Sequence, residues 1–206
     1  LSGVTDCYQP IERKLKLTRR CLEVLAAFRN PVCVVTKNHL VTRVIDLLRE
    51  LARHGAAAVY VSVTTLDSSL TPKLEPRTSL PQHRLAAIEA LSQAAIPVGV
   101  LVAPVIPALT DHELPSIVAA AAQAGARFAG YVLLRLPYAV GPLFERWLEQ
   151  HFPQRKEKVV NRIRAMRGGK MNDLRFGKRM RGEGIFAEQM SQMFHAACRK
   201  AGLADK

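Results

Sequence analysis

The sequence lacks long apolar segments and closely spaced cysteines. None of its 206 residues belong to a run approaching the roughly 18 to 20 apolar residues that cross a bilayer, so we expect no membrane partner. The four cysteines, at positions 7, 21, 33 and 198, form no CxxC or CxxxC, so they cannot build a metal site by themselves. Reduced thiols in a cytoplasmic protein are therefore expected.

Several catalytic signatures are also missing. No Gly-rich GxGxxG turn follows an apolar run, which counts against a dinucleotide-binding sheet. Ser, His and Asp do not occur in an order that indicates acyl transfer by a catalytic triad. The six histidines are scattered along the sequence. The sequence thus argues against a dinucleotide-binding sheet and against acyl transfer by a Ser–His–Asp triad.

Positive charge is concentrated near the C-terminal end. Residues 154–206 hold 14 Lys and Arg against 5 Asp and Glu, out of a net charge of +13 for the chain. Such a basic segment favours a polyanionic partner through counterion release, and a solvated helical extension is the alternative.

Four β-branched apolar runs alternate with amphipathic helical patterns. The runs are NPVCVVTKNHLV, AAAVYVSVTT, IPVGVLVAPVIP and FAGYVLLRLP. Continuous apolar strands are typical of parallel sheets covered on both faces, and the alternation predicts a (β/α) barrel or an open wound sheet. Polar loops after the strands favour the barrel. With a strand end at residues 1–4, we predict an α/β fold: a partial (β/α) TIM-type barrel over residues 1–153 that lacks its first strand, then a basic helical extension over residues 154–206.

On a parallel barrel, polar side chains that follow the strands point into one mouth. These residues are Ser2, Thr5, Asp6, Thr36, Lys37, Asn38, Ser62, Thr64, Thr65, Asp111 and Arg135. Their hydroxyl, carboxylate, ammonium and guanidinium groups suit a ligand that carries both amino and carboxylate groups.

Four segments resemble the successive strand-end motifs of radical S-adenosylmethionine (SAM) enzymes. They are SGVTDCYQPIE, VVTKNHLV, VYVSVTTLDSSL with LEPRTS, and VAPVIPALTD. The branch they resemble is the spore photoproduct lyase-like one, and GGKMNDLRFGKRMRGEG is similar to its tail. The resemblance covers about residues 1–137.

The resemblance implies cofactor-binding roles for five residues. Thr5 and Asp6 match positions that hold the methionine amino and carboxylate end of SAM. Lys37 matches a lysine that reaches the methionine carboxylate or the ribose. Ser62 matches a serine on the ribose side, and Ala103 matches a backbone contact to the adenine.

Three further residues are predicted to bind substrate. The LEPRTS loop would close over the site, which brings Glu75 and Arg77 to it. Arg135 lies in an apolar run and needs a partner if it is buried.

Plainer interpretations remain open for these positions. Lys37 is then an exposed residue at a strand end, and Ser62 satisfies a neighbouring backbone group. Asp6 caps the following helix, and Glu75 pairs with Arg77 in a solvated loop.

In this family a CxxxCxxC loop after the first strand holds a 4Fe-4S cluster. The resemblance therefore implies SAM and a 4Fe-4S cluster as cofactors, and flavodoxin or ferredoxin as the electron donor. It also implies lyase-like cleavage of SAM to a deoxyadenosyl radical that abstracts hydrogen from an unknown substrate. No such loop occurs in the sequence, which opens with Leu inside a motif. We therefore expect the cluster ligands upstream and an inactive chain by itself; a degenerate relative is the alternative.

One loop residue departs from the family. Ala108 stands where relatives usually have Gly. If the turn requires a positive φ, the alanine costs about 1 kcal/mol.

Two other functional classes remain open. One is a non-catalytic nucleic-acid-binding protein on a partial barrel, although the basic loop offers only Phe176 and Phe186 for stacking. The other is a barrel lyase in which a desolvated Lys37 forms a Schiff base. Nucleic acid is also a candidate substrate of the radical enzyme.

Overall fold

The computed structural model describes residue 1 and residues 5–205. The strands are β1 (Val32–Thr36), β2 (Ala57–Ser62), β3 (Val98–Val105), β4 (Phe128–Leu133) and β5 (Ala204–Asp205). The helices are α1 (Glu12–Leu15), α2 (Leu17–Ala27), α3 (Ile45–Arg53), α4 (Thr71–Leu74), α5 (Pro81–Gln93), α6 (Leu114–Gln123), α7 (Val140–His151), α8 (Lys156–Ala165), α9 (Lys178–Arg181) and α10 (Ile185–Ala201). Short 3₁₀ helices cover His39–Val44, Asp111–Glu113 and Pro153–Arg155.

The five strands form one sheet in the order β1-β2-β3-β4-β5, and every neighbouring pair is parallel. Helices connect consecutive strands, as parallel pairing requires. The predicted α/β class with parallel strands is thus confirmed. The sequence did not indicate β5, because two residues are too short for a hydrophobic period.

The backbone of Leu1 pairs with the free side of β1. Its amino nitrogen donates to the Cys33 carbonyl oxygen at 2.6 Å, and its carbonyl oxygen accepts from the Val35 N–H at 3.3 Å. These two bonds follow the pattern of a parallel ladder. The rest of the predicted strand end, residues 2–4, lies outside the described residues, and so does Ser2 as a site residue.

The two faces of the sheet are buried to different extents. Val34, Val59 and Val100 are fully buried in the main core, under the helices. The alternate positions, such as Val35 and Leu101, are only half-buried. The expectation that both faces are covered is therefore wrong at these positions, because the second face is the inner wall of a partial barrel.

Gly99 of β3 lies between two aromatic rings of the neighbouring strands. It is in register with Tyr60 and Phe128, whose ring centroids are 4.8 Å apart. A Cβ at position 99 would lie 2.5 Å from the Phe128 carbonyl oxygen and closer still to its ring. Only glycine fits this close approach.

The C-terminal segment packs onto the sheet. Phe194 of α10 is fully buried, and its ring centroid lies 4.8 Å from that of Tyr131 in β4. The buried Arg167 guanidinium donates to the carbonyl oxygens of Leu134 and Arg179, both at 2.8 Å. The boundary at residue 153 stays a prediction. In the described part of the chain, no helix has the length and apolar composition needed to span a membrane.

Candidate functional site

A cleft of about 560 Å³ opens at the carboxyl ends of the first four strands. We call it the strand-end cleft. Its lining residues are Thr5, Asp6, Val35, Thr36, Lys37, Ser62, Leu101, Ala103, Pro104, Val132, Leu133, Leu134 and Arg135. The structure therefore brings together all five residues predicted to bind the cofactor, and Arg135 with them. Glu75 and Arg77 do not line it.

Asp6 fastens the segment before α1 to the end of β1. Its carboxylate accepts from the Thr36 hydroxyl at 2.8 Å, from the Lys37 N–H at 2.7 Å and from the Tyr8 N–H at 2.9 Å. The interpretation of Asp6 as a helix cap is wrong, because Ile11 is the residue before α1 and Asp6 bonds elsewhere. Asp6 thus fixes the backbone from which Lys37 projects.

Glu75 holds the Lys37 ammonium beside the cleft. The Lys37 side chain is 30% exposed and its Nζ contacts Glu75 Oε1, while the Glu75 side chain is only 8% exposed. Glu75 also accepts from Arg84 Nη2 at 2.7 Å and from the Thr64 hydroxyl at 2.8 Å. This carboxylate is thus engaged within the protein. A contact between Glu75 and substrate stays a prediction.

The charges around Glu75 decide its protonation state. Burial by itself would raise the pKa of the Glu75 carboxyl, but the cations of Lys37 and Arg84 outweigh it and lower the pKa below its ordinary value. Glu75 is therefore ionised at neutral pH. A carboxylate paired with Lys37 also disfavours the Schiff-base alternative, which needs a desolvated amine without such a partner.

Ser62 and Thr64 converge on the carbonyl oxygen of Ala103. Both hydroxyls lie 2.9 Å from this oxygen. The interpretation that Ser62 satisfies a neighbouring backbone group is therefore confirmed. Thr64 has one hydroxyl proton, so it donates either to Ala103 or to Glu75 at a given moment. A contact between the cofactor and the backbone of Ala103 stays a prediction. It would have to involve other atoms of Ala103, because the carbonyl oxygen already accepts from Ser62 and Thr64.

Arg135 lies two residues beyond β4 on the wall of the strand-end cleft. Its Nε is buried and has no hydrogen-bond partner among the described residues. A buried donor without an acceptor is costly.

Arg77 is exposed in the loop after α4, with a φ of 72°. The alternative in which it pairs with Glu75 is wrong, because Glu75 pairs with Lys37 and Arg84. Substrate binding by Arg77 stays a prediction.

Arg84, which was not predicted as a site residue, is the most deeply buried charged side chain of this region, at 1% exposure. A signal was present in the sequence. Arg84 lies three, four and seven residues before Ala87, Ile88 and Leu91, and thus on the buried face of α5. A cation on an apolar helix face requires a buried partner.

The loop after β3 contains Ala108, the residue that was predicted to depart from the glycine usual in the family. Ala108 has a φ of 62°, and its N–H donates to Asp111 Oδ2 at 2.8 Å. The turn therefore requires the left-handed conformation, in which alanine is strained by about 1 kcal/mol relative to glycine.

Within residue 1 and residues 5–205, no group of three or more His, Cys, Asp or Glu side chains could hold a metal ion. The strand-end cleft likewise has no cysteine in its lining. These residues therefore do not fit a 4Fe-4S cluster, whereas the ammonium, hydroxyl and guanidinium groups of the cleft fit a zwitterionic ligand.

The model of the radical SAM superfamily matches residues 1–121, more than half of the chain. The chain therefore belongs to the radical SAM superfamily. An uncharacterized protein of Mycobacterium tuberculosis is 34% identical over 164 residues, which cover 79% of this chain and 47% of that protein. An uncharacterized protein of Methanocaldococcus jannaschii is 27% identical over 162 residues, covering 79% and 59%. The chain thus spans about half the length of the curated relatives it matches.

Solved structures of spore photoproduct lyase share the fold. One mutant of that enzyme has a TM-score of 0.63 at 17% identity, covering 99% of this chain and 59% of the lyase. A second mutant, with bound AdoMet and dinucleoside spore photoproduct, has a TM-score of 0.60 at 19% identity.

Proposed function

We propose that the strand-end cleft binds SAM and that the chain is the core of a radical SAM enzyme. The observation that carries this proposal is the convergence of the five motif residues on one cleft in a chain of this superfamily. Separated by up to about a hundred positions in sequence, they share one wall only because the parallel strands end together.

Each residue has a role that its contacts support. The Lys37 ammonium, steadied by Glu75, pairs with the methionine carboxylate of SAM. The Thr5 hydroxyl can accept a hydrogen bond from the methionine amino group of SAM, and the Ser62 hydroxyl can accept one from the ribose hydroxyls. Arg135, which lines the cleft, supplies a cation for an anionic group of the substrate.

SAM together with a reduced 4Fe-4S cluster supplies radical chemistry in this superfamily. The sequence contains no CxxxCxxC, so this chemistry would depend on cluster ligands outside the 206 residues. The identity of the substrate and the lyase reaction are likewise proposals by analogy.

Lys37→Met tests the proposal. Removal of the charged donor is expected to weaken SAM binding about 10- to 100-fold, since hydrogen bonds to charged groups contribute about 1.5–3 kcal/mol. Equilibrium dialysis against labelled SAM measures the effect, with thermal melting as the check on folding. Lys73→Met, at an exposed lysine of α4, is the matched control and should bind as the parent does. Equal affinity of both variants, or no saturable binding by the parent chain, would reject the proposal.

We further propose single-stranded nucleic acid as the partner of the basic C-terminal segment. Phe176 is 91% exposed, and the Arg179 guanidinium lies 5.5 Å from its ring centroid. An exposed ring beside cations offers a base both a stacking surface and phosphate contacts. Phe186 is a poorer platform, because it is half-buried and Arg162 lies 3.6 Å over its ring centroid.

Phe176→Ala is expected to weaken binding of a single-stranded oligonucleotide about 5- to 150-fold, as one stacked base contributes about 1–3 kcal/mol. Fluorescence anisotropy of a labelled oligothymidylate at fixed salt measures this. Phe28→Ala is the control, because Phe28 is an exposed phenylalanine at the end of α2. If both variants bind like the parent, nucleic acid does not stack on the segment and the partner proposal fails.

A further inference from the structure

A second cavity, of about 230 Å³, lies between the helices α1 and α2 and the 3₁₀ helix that follows β1. Its lining residues are Tyr8, Glu12, Lys16, Arg19, Leu40, Arg43 and Val44. None of them lines the strand-end cleft. We call it the α2 cavity, and the proposed SAM site leaves it without a role.

Tyr8, one of the lining residues, carries an unsatisfied polar group. The residue is 3% exposed, and its hydroxyl is buried with no hydrogen-bond partner in the part of the chain that the structure describes. Burial raises the pKa of Tyr8 far above its ordinary value, so the phenol keeps its proton at neutral pH. It is therefore a donor without an acceptor, and an apolar filling of the cavity would leave it unsatisfied.

The cations that line the cavity are paired to different extents. Arg19 is neutralised by Asp46 at 2.5 Å and by Glu23 at 3.2 Å. Lys16 and Arg43, in contrast, form no ion pair with any described residue. Both are exposed, so these two cations of the lining remain accessible to a ligand.

The single carboxylate of the lining is already used. Glu12 Oε1 accepts from the Thr18 N–H at 2.7 Å, which fixes the start of α2. The Glu12 carboxylate keeps its negative charge at the cavity, although it forms no ion pair with Lys16. Leu40 and Val44 supply the apolar part of the wall.

We propose that the α2 cavity binds a small organic phosphate monoester. Its phosphate, which carries about two negative charges at neutral pH, matches the charges of Lys16 and Arg43 and accepts a hydrogen bond from Tyr8. Its organic part contacts Leu40 and Val44. The cavity is also smaller than the roughly 300–1,000 Å³ typical of drug-sized ligands, so the organic part is no larger than one ring.

Calorimetric titration of the whole chain with phenyl phosphate, at constant ionic strength, tests the proposal. Saturable binding is expected, and Arg43→Gln should weaken it about tenfold or more, because the pair is charge-assisted. Tyr8→Phe should weaken it by a similar factor while melting no lower than the parent, since it removes only an unpaired hydroxyl. Arg49→Gln, at an exposed arginine of α3 outside the cavity, should bind unchanged.

Each other outcome counts against the proposal. Absence of saturable binding, or equal weakening by Arg49→Gln, would mean that surface cations bind the anion without a site. Equal affinity for inorganic phosphate would show that the apolar wall contributes nothing, so free phosphate and not an organic ester would be the ligand. Unchanged binding by Tyr8→Phe would remove the buried hydroxyl from the site.

Discussion

Replacement of Arg84 by methionine is expected to lower the free energy of unfolding by about 3–5 kcal/mol, because the buried Glu75 carboxylate loses one of its two cationic partners and buried acceptor oxygens lose their donor. The Arg84 guanidinium donates to Glu75 Oε2, the Ser79 carbonyl oxygen and the Thr78 hydroxyl, each at 2.7 Å, and to the Ser62 carbonyl oxygen at 3.0 Å. Methionine fills a similar volume but offers none of these donors. The loss therefore measures the polar network and not a cavity.

Urea unfolding followed by circular dichroism gives the comparison. Arg49→Met is the matched control, since the same substitution at an exposed arginine of α3 is expected to change the free energy of unfolding by no more than about 0.5 kcal/mol. A loss below about 1 kcal/mol in Arg84→Met would mean that the network contributes little to folding. Lysine at position 84 should recover part of the loss, because it restores the charge without the planar fork.

Glu75→Gln is expected to destabilise the chain by about 3 kcal/mol at neutral pH, because the buried Arg84 then lacks its countercharge. Glutamine keeps the size and one acceptor oxygen, so packing is preserved. The expected loss of charge also frees the Lys37 ammonium, which Glu75 holds in the native chain.

The pH dependence distinguishes this charge effect from a packing defect. The folded-state pKa of Glu75 is lowered, so its contribution is fully present above the ordinary glutamate pKa of about 4.3 and is lost as the pH falls through the lower folded-state value. The difference in unfolding free energy between the parent and Glu75→Gln should therefore shrink in acid. Other carboxyls with lowered pKa values titrate in both proteins and cancel in the difference. A difference that stays constant from about pH 7 to about pH 3 would contradict the charge explanation.

The strands β1 to β4 could be predicted from the sequence because their positions follow from local patterns. β1 to β4 coincide with the four β-branched runs, and α5 coincides with an apolar helical period. β5 could not be predicted, since its pairing with β4 depends on how α10 packs and not on its own two residues.

The strand-end cleft could be predicted in part for a similar reason. Parallel strands place their following residues in one mouth, so the meeting of Asp6, Lys37 and Ser62 required only the strand boundaries. Prediction of the hydrogen-bond and ion-pair partners of these residues requires the tertiary packing as well. Glu75 turns towards Arg84, nine residues further along the chain, because α5 packs against the loop that carries Glu75. No local pattern in the sequence specifies that packing.

The same limit applies to the basic segment. Its sequence indicates a strongly cationic loop, but the structure pairs Arg175 with Asp173 at 2.6 Å and with Glu183 at 2.8 Å. Such pairings depend on the turn that brings residues 173–183 together, which only the folded chain defines. The charge available to a partner is therefore smaller than the residue count indicates.

The Arg167 guanidinium connects two separate segments of the chain. It bonds the Leu134 carbonyl oxygen, one residue before Arg135, and also the carbonyl oxygen of Arg179, whose side chain lies beside Phe176. The rim of the strand-end cleft and the C-terminal loop are thus joined through one rigid planar group. We expect a molecule that displaces the loop to perturb the peptide next to Arg135; if it thereby changes the affinity of a ligand at Arg135, thermodynamic reciprocity requires that ligand to change the affinity of the loop by the same factor.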